Sequence, residues 1–113
     1  MFLISEAVSK DAVLQTYNTY FKTMIKAVVD VHRELIAIDA ELHADLESML
    51  LHEGSEQENL WGINLFLGKD KEDWIEFTAL INIRPSMDNR TMEVEDPKIR
   101  QKITEVVGRL ITE

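Results

Sequence analysis

The sequence contains no cysteine, and this absence excludes several kinds of site at once. Without thiols the chain cannot form disulfides, use a thiol nucleophile, or bind zinc or an iron–sulfur cluster through thiolates. The absence fits a reducing compartment. No apolar run approaches the roughly 20 residues of a membrane-spanning helix, and the first residues, MFLISE, lack the basic segment of a secretory signal. We therefore expect a cytoplasmic protein that does not enter a membrane.

Glycine is scarce, and basic residues are outnumbered by acidic ones. The four glycines are scattered at positions 54, 62, 68 and 108, so no glycine-rich loop is present to bind a phosphate. The net charge is −9, and nine acidic residues between Asp30 and Glu58 are accompanied by one strong base, Arg33. Because an acidic chain repels phosphate backbones, we expect no nucleic-acid binding. The acidity alone would suit a basic protein partner.

The remaining composition is that of a globular protein, with 113 residues of which 45% are apolar. This length predicts one domain, spanning residues 1–113, that can bury its own core. Hydrophobic periodicity predicts strands at 1–5, 25–31, 34–38, 61–67, 75–83 and 91–94 and helices at about 10–24, 41–52 and from 97 onward. These elements predict an α+β fold, in which an antiparallel sheet of four or five strands carries N-terminal, central and C-terminal helices packed mainly on one face.

Two of these elements have alternatives. His32-Arg33 could form a hairpin turn between 25–31 and 34–38, but its turn chemistry is poor, and one continuous strand is the alternative. Segment 41–52 is helical if Leu42, Leu46, Met49 and Leu50 form one stripe, with Asp39 as its cap, and a strand if Leu42, Ala44 and Leu46 alternate with polar residues. Its good helix formers favour the helix, which Gly54 would end.

The strands at 61–67 and 75–83 should pair as antiparallel neighbours, since a short charged loop joins them. Both place apolar residues at odd positions, so odd positions must pair with odd ones, and Asn64 should lie near Glu76 or Thr78. Trp61 is expected in the core and Trp74 on the opposite, polar face. The large apolar residues of that face predict a second layer or a homodimer contact there: Leu60, Phe66, Trp74 and Leu80.

The polar face of this strand pair is the first candidate site. Two asparagines in one strand pair are unusual by propensity, and Arg84 offers a planar fork suited to a carboxylate or phosphate. The loop 84–90 carries a second arginine and could bind an anion. The simpler interpretation is a solvated face with a turn capped by Asp and Asn side chains. The candidate ligand-binding residues are Trp61, Asn64, Glu76, Asn82, Arg84, Asn89 and Arg90.

His43 and its neighbouring carboxylates are the second candidate. In a helix His43 would share a face with Asp39 and Glu47, and in a strand with Asp45 and Glu47. Imidazole and carboxylates at such spacing can hold a divalent metal or exchange a proton. His43, Asp45 and Glu47 are therefore the catalytic candidates, and His43 and Glu47 the weak metal candidates, although the pattern is common on solvated helices.

Several short motifs together resemble a family of small prokaryotic proteins catalogued only as a domain of unknown function. They are ELHAD at 41–45, LWGIN at 60–64, WIEF at 74–77, and INIRPS at 81–86 followed by NR at 89–90. The resemblance covers roughly residues 10–110 and implies no activity or cofactor. In that family a glycine-bearing turn precedes ELHAD and the hairpin turn often carries glycine, whereas this chain has Asp39-Ala40 and Glu34 there.

We expect from these patterns a non-catalytic binding or protein-interaction domain that uses the polar sheet face, with a protein partner or a second copy of the chain. The alternative is a small metal-assisted or acid–base hydrolase that uses His43, Asp45 and Glu47, with Arg84 or Arg90 stabilising an anion. The alternative requires His43 to reach two carboxylates in a cleft that one of these arginines also enters.

Overall fold

A computed structural model describes residues 1–113 and confirms the α+β fold. The helices are α1 (Lys10–Thr16), α2 (His43–His52) and α3 (Pro97–Leu110). The strands are β1 (Phe2–Ile4), β2 (Val8–Ser9), β3 (Ile25–Asp30), β4 (Leu35–Ile38), β5 (Leu60–Leu65), β6 (Ile75–Glu76) and β7 (Ile111–Thr112). Five strands form an antiparallel sheet in the order β1-β4-β3-β5-β6, and β2 pairs with β7 in a separate parallel pair.

The central strands of the sheet are apolar on both faces, so both faces require a cover. The odd positions of β3 and β5 face a large core that also contains residues of α1 and α3. On the opposite face, Leu46 and Leu50 of α2 cover Val28, Ala37 and Leu60. The N-terminal and C-terminal helices thus share one face, as predicted. The central helix, predicted on that same face, instead forms a second layer on the other, because Val28 and Leu60, at even positions of β3 and β5, are also apolar.

The hairpin between β3 and β4 is confirmed, and the alternative of one continuous strand is wrong. The Asp30 carboxylate builds the turn by accepting hydrogen bonds from the backbone N–H groups of His32 (2.9 Å) and Arg33 (2.8 Å). Glu34 completes the turn in the left-handed region at φ 57°. The turn therefore forms without glycine because an aspartate side chain takes over the hydrogen bonding.

Segment 41–52 is helical as favoured, but Asp39 is not its cap. Asp39 lies at φ 71° before the helix, and its carboxylate accepts hydrogen bonds from the Thr19 backbone N–H (3.0 Å) and hydroxyl (2.7 Å). Gly54 ends α2 as predicted. At φ 96° it lets its own N–H and that of Ser55 reach back to carbonyl groups of the last helical turn.

Helix α1 is shorter than predicted, because it ends at Thr16 instead of near residue 24. The Tyr17 ring stacks on Phe2 of β1, with 4.0 Å between the ring centroids. Two residues later, Thr19 bonds to Asp39 and not to the preceding helical turn. These tertiary contacts override the apolar spacing that predicted a longer helix.

The predicted strand at 75–83 is largely wrong, although its register is right. Leu65 pairs with Ile75 and Asn64 with Glu76, so odd positions face odd positions. The strand stops after Glu76, and 3₁₀ turns follow at Leu80–Asn82 and Pro85–Met87. The edge strand predicted at 91–94 is reduced to a single bridge between Thr78 and Glu93.

The apolar residues expected on one uncovered face are dispersed instead. Trp74 is buried in the large core, where its indole N–H donates to the Lys69 carbonyl (2.9 Å), so its placement on the polar face was wrong. Leu60 lies under α2, and Leu80 is the exposed member of the set. No helix of the structure combines the length and apolar character that crossing a bilayer requires.

Helix α3 begins as the Asp96-Pro97 pair predicts. The Asp96 side chain accepts a hydrogen bond from the Lys98 backbone N–H (2.8 Å), and Pro97 occupies the first helical position, where no N–H is needed. The apolar stripe of the helix, including Ile103, Val106 and Leu110, is buried in the large core.

Candidate ligand-binding pocket

A cavity of about 430 Å³ opens on the α2 face of the sheet, at the N-terminal end of α2. We call it the His43 pocket. β3 and β5 form its floor, the first turn of α2 forms one wall, and the segment 78–81 forms the other. Its lining residues are Met24, Lys26, Leu42, His43, Ala44, Asn64, Thr78, Ala79, Leu80, Ile81 and Met92. Its volume and mainly apolar lining are within the range of small-molecule sites.

His43 points into the sheet and not toward the carboxylates of its helix. Its Nε2–H donates to the Ile63 carbonyl (2.8 Å), which fixes the tautomer. Burial, together with the positive charge of Lys26, lowers the pKa of His43 below its ordinary value of 6.5, although the hydrogen bond to Ile63 and the Asn64 side chain beside the ring act in the opposite direction. The ring is therefore neutral at pH 7, and its Nδ1 is a hydrogen-bond acceptor.

Asn64 presents a carbonyl oxygen without a partner. Its Nδ2 donates to the Glu76 carboxylate (2.7 Å) and to the Thr78 carbonyl (3.1 Å), which settles the orientation of the amide. The side chain lines the pocket in a residue that is only 7% exposed, and Oδ1 accepts no hydrogen bond. A buried acceptor that stays unpaired destabilises a fold by about 1–3 kcal/mol. Such a group requires an explanation, and in the lining of an open cavity a bound ligand supplies one.

Lys26 is the only charged side chain that lines the pocket. It lies directly across the β3–β5 ladder from Asn64, and its Nζ is 5.1 Å from the centroid of the Phe21 ring. No carboxylate pairs with it, although the chain has an excess of nine negative charges. The pocket is therefore a local exception to the acidity of the molecule.

The mouth of the pocket is apolar. Leu42, Leu80 and Met92 line it and are 55%, 71% and 39% exposed. Single exposed apolar side chains are normal, but a group of them around one cavity marks an interaction site. The sequence predictions missed Lys26, Met24 and, apart from Leu80, this rim. The lysine at the second position of the apolar run IKAVVDV was the signal that could have indicated a functional position.

The hydrolase alternative needs groups that the structure does not bring together. Glu47 pairs with Arg84 (3.4 Å), and Asp45 lines a separate cavity with Glu41 and Glu53. Neither carboxylate lines the His43 pocket. His43 and Glu47 also belong to no group of three His, Asp or Glu side chains close enough to hold a metal ion.

The side-chain amides of Asn82 and Asn89 form hydrogen bonds with backbone groups. The Asn82 amide accepts from the Gly62 N–H (2.8 Å) and donates to the Gly62 carbonyl (2.9 Å) and the Met92 carbonyl (3.0 Å). In this way it replaces a strand along the free edge of β5. The Asn89 amide bridges the Asn82 and Glu93 carbonyls at 2.7 Å and 2.8 Å. Both residues hold the segment 77–95 in place against the sheet.

Arg84 is also turned inward. Its Nη2 donates to the Leu60 carbonyl at the same edge of β5, and its guanidinium lies 5.0 Å from the ring centroid of the buried Trp61. Burial lowers the pKa of Arg84, opposed by the charge of Glu47. Arg90 is exposed beside Asp88 (3.7 Å). The two arginines of the loop 84–90 therefore do not converge on one anion position.

The candidate ligand residues thus separate into two groups. Asn64 lines the pocket, and Glu76 orients the Asn64 amide by accepting a hydrogen bond from its Nδ2. Trp61, Asn82, Arg84 and Asn89 are engaged in the core or with backbone groups, and Arg90 faces solvent.

Comparison with known proteins places the chain beside proteins without an assigned activity. A family model described as "Protein of unknown function (DUF5674)" matches residues 2–110. No curated protein and no solved structure matches the chain.

Proposed function

The chain belongs to the DUF5674 family of proteins of unknown function, and on that premise we propose that it is a non-catalytic binding domain whose ligand occupies the His43 pocket. The site lies on the sheet face predicted to carry binding, at Asn64 and Glu76. It extends beyond the prediction to Lys26 and the apolar rim. The observation that carries the proposal is the unpaired, buried Oδ1 of Asn64 in the lining of an open cavity.

The geometry supports binding over catalysis. His43 is the one neutral base in the pocket, and its Nε2 is committed to the Ile63 carbonyl. The lining contains no carboxylate, and its single hydroxyl is that of Thr78, which donates to Glu93 (2.9 Å). A hydrolytic site needs a nucleophile or an activated water with a second acid or base. The pocket instead offers shape, apolar surface and fixed acceptors.

The proposal is tested by titrating the protein with isobutanol, a neutral apolar probe with one hydrogen-bond donor, in two-dimensional amide NMR. We expect saturable shifts at the amides of the lining residues. The variant Ala44→Phe should abolish them, because Ala44 is an exposed lining residue whose enlargement fills the cavity without touching the core. The control Ala7→Phe enlarges an exposed alanine that does not line the pocket and should leave the shifts unchanged.

Shifts that are spread over the whole surface, or that persist in Ala44→Phe, would contradict the proposal. A second copy of this chain is another occupant for the apolar rim. Sedimentation velocity of the wild type and Leu80→Glu distinguishes this case, since a dimer that becomes a monomer in the variant would assign the rim to self-association.

A further inference from the structure

We propose that the ligand of the His43 pocket is an apolar monocarboxylate with an N–H or O–H donor next to the carboxylate. An N-acylated branched amino acid and the C-terminal residue of an apolar peptide are the two sources of this chemistry. This inference rests on the proposed binding function and specifies the class of ligand.

The charge of the pocket selects a single negative charge. Lys26 provides one ammonium group without a carboxylate partner, and His43 is neutral. The surrounding acidity of a chain with net charge −9 disfavours ligands with several negative charges. Phosphate dianions are also disfavoured because the pocket has neither a second cation nor a glycine-rich loop. One ligand carboxylate paired with the Lys26 ammonium group neutralises the charge of the site.

The orientation of the Asn64 amide selects a donor beside that charge. Both Nδ2 hydrogens are used by Glu76 and Thr78, so the atom left for the ligand is the Oδ1 acceptor. Because Lys26 and Asn64 are direct cross-strand partners, their side chains emerge about 5 Å apart on the same face. A ligand that carries a carboxylate and an N–H on one carbon, as an N-acylated amino acid does, can therefore address both side chains at once.

The apolar part of the lining selects a branched apolar body. Leu42, Leu80, Ile81 and Met92 line it, and methionine adapts its shape to irregular ligands. A side chain of the size of leucine would cover apolar surface that is now exposed at Leu42 and Leu80. The polar and apolar ends together describe a small amphipathic acid.

Three matched compounds test this inference by amide NMR titration: N-acetyl-L-leucine, its neutral C-terminal amide, and N-acetyl-N-methyl-L-leucine. We expect the acid to bind at least about tenfold more tightly than the amide, which is about 1.4 kcal/mol. The N-methyl compound, in which a methyl group replaces the N–H donor, should bind more weakly than the acid. Lys26→Met should remove the preference for the acid, so that the acid and the amide bind this variant with equal affinity. Lys69→Met, an exposed lysine outside the pocket, is the matched control.

Equal affinity for the acid and the amide in the wild type would overturn the proposed ligand class while leaving the binding function intact. The absence of pocket shifts with all three compounds would also overturn the ligand class, and it would contradict the binding function itself if isobutanol gives no pocket shifts either. The two sources are separated by N-acetyl-Ala-Ala-Leu with a free carboxylate. A tenfold or larger gain over N-acetyl-L-leucine supports a peptide C-terminus, and equal affinity supports a small free acid.

Discussion

At the scale of single residues, Gly62 has no room for a side chain. A Cβ at this position would lie 2.5 Å from the Ala79 Cβ and 3.2 Å from Cδ2 of His43. We expect Gly62→Ala to lower the free energy of unfolding by about 1–3 kcal/mol. The added methyl group pushes the segment 77–95 away from β5, which strains the hydrogen bonds between Gly62 and Asn82. Urea unfolding measures the effect. Gly68→Ala is the control, because nothing lies within 4 Å of its Cβ, and equal effects of both variants would contradict the steric argument.

His43 makes the stability of the protein depend on pH. Burial lowers the pKa of His43 in the native state below 6.5, its ordinary value. Between the two pKa values the unfolded chain binds more protons than the native one, so stability from this residue is lost as pH falls below about 6.5. We expect His43→Gln to lose less stability than the wild type between about pH 8 and pH 5 in urea unfolding. If the wild type and His43→Gln lost the same stability between these two pH values, this role of His43 would be contradicted.

The asparagines show how far single residues could be predicted. Two asparagines in predicted strands are unusual by propensity, and on that ground the sequence predicts a binding role for both. For Asn64 the unpaired Oδ1 is consistent with a binding role. Asn82 is instead explained by its structural role, because its side chain replaces backbone hydrogen bonds at the edge of β5. Composition cannot separate these cases, because both need a buried amide and differ only in what surrounds it.

At the scale of elements, two glycines near helix ends should respond to alanine with opposite sign. Gly54 ends α2 at φ 96°, where a side chain is strained, so Gly54→Ala should destabilise the protein by about 1 kcal/mol. Gly108 lies inside α3 and its Cβ would meet only the end of the Lys71 side chain at 3.9 Å. Gly108→Ala should therefore stabilise by roughly 0.5–1 kcal/mol. Thermal unfolding of both variants checks the signs, and two shifts of the same sign would contradict the assignment.

Asp30 joins the β3–β4 hairpin to the end of α2. One carboxylate oxygen accepts two N–H groups of the turn, and the other accepts the Ser55 hydroxyl (2.6 Å). We expect Asp30→Ala to cost at least about 2 kcal/mol of unfolding free energy, since it leaves several partners unpaired in a buried place. Asp73→Ala, an exposed aspartate without a side-chain hydrogen bond, should change stability by less than about 0.5 kcal/mol. Chemical denaturation of both variants tests this, and a small loss for Asp30→Ala would contradict it.

The elements differ in how well the sequence predicted them. Helix α3 could be located from its Asp-Pro start and 3.6-residue stripe because both signals are local. The strand predicted at 75–83 failed beyond Glu76, because the alternation from Ile75 to Ile83 continues through residues that turn over the sheet. Helix α1 failed at its end for a similar reason, since Thr19 bonds to a distant aspartate. Local patterns predict an element's presence better than the tertiary contacts that end it.

At the scale of the whole molecule, the net charge of −9 opposes compaction. Screening by salt weakens repulsion among exposed carboxylates over a Debye length of about 8 Å at 0.15 M. We expect the melting temperature to rise when sodium chloride is increased from about 0.01 M to 0.15 M. Differential scanning calorimetry measures it. A fall would mean that surface ion pairs such as Arg109–Glu34 (2.8 Å) outweigh the general repulsion.

Both tryptophans lie in the same large core, and neither touches the smaller core under α2. Their fluorescence therefore reports mainly the solvent exposure of one side of the sheet, and melting of α2 affects it only through the Arg84 guanidinium, which joins Trp61 to Glu47. Circular dichroism at 222 nm observes all three helices. Denaturation curves from the two signals coincide only if both layers unfold together, so the chain carries an intrinsic pair of reporters for the cooperativity of its two cores.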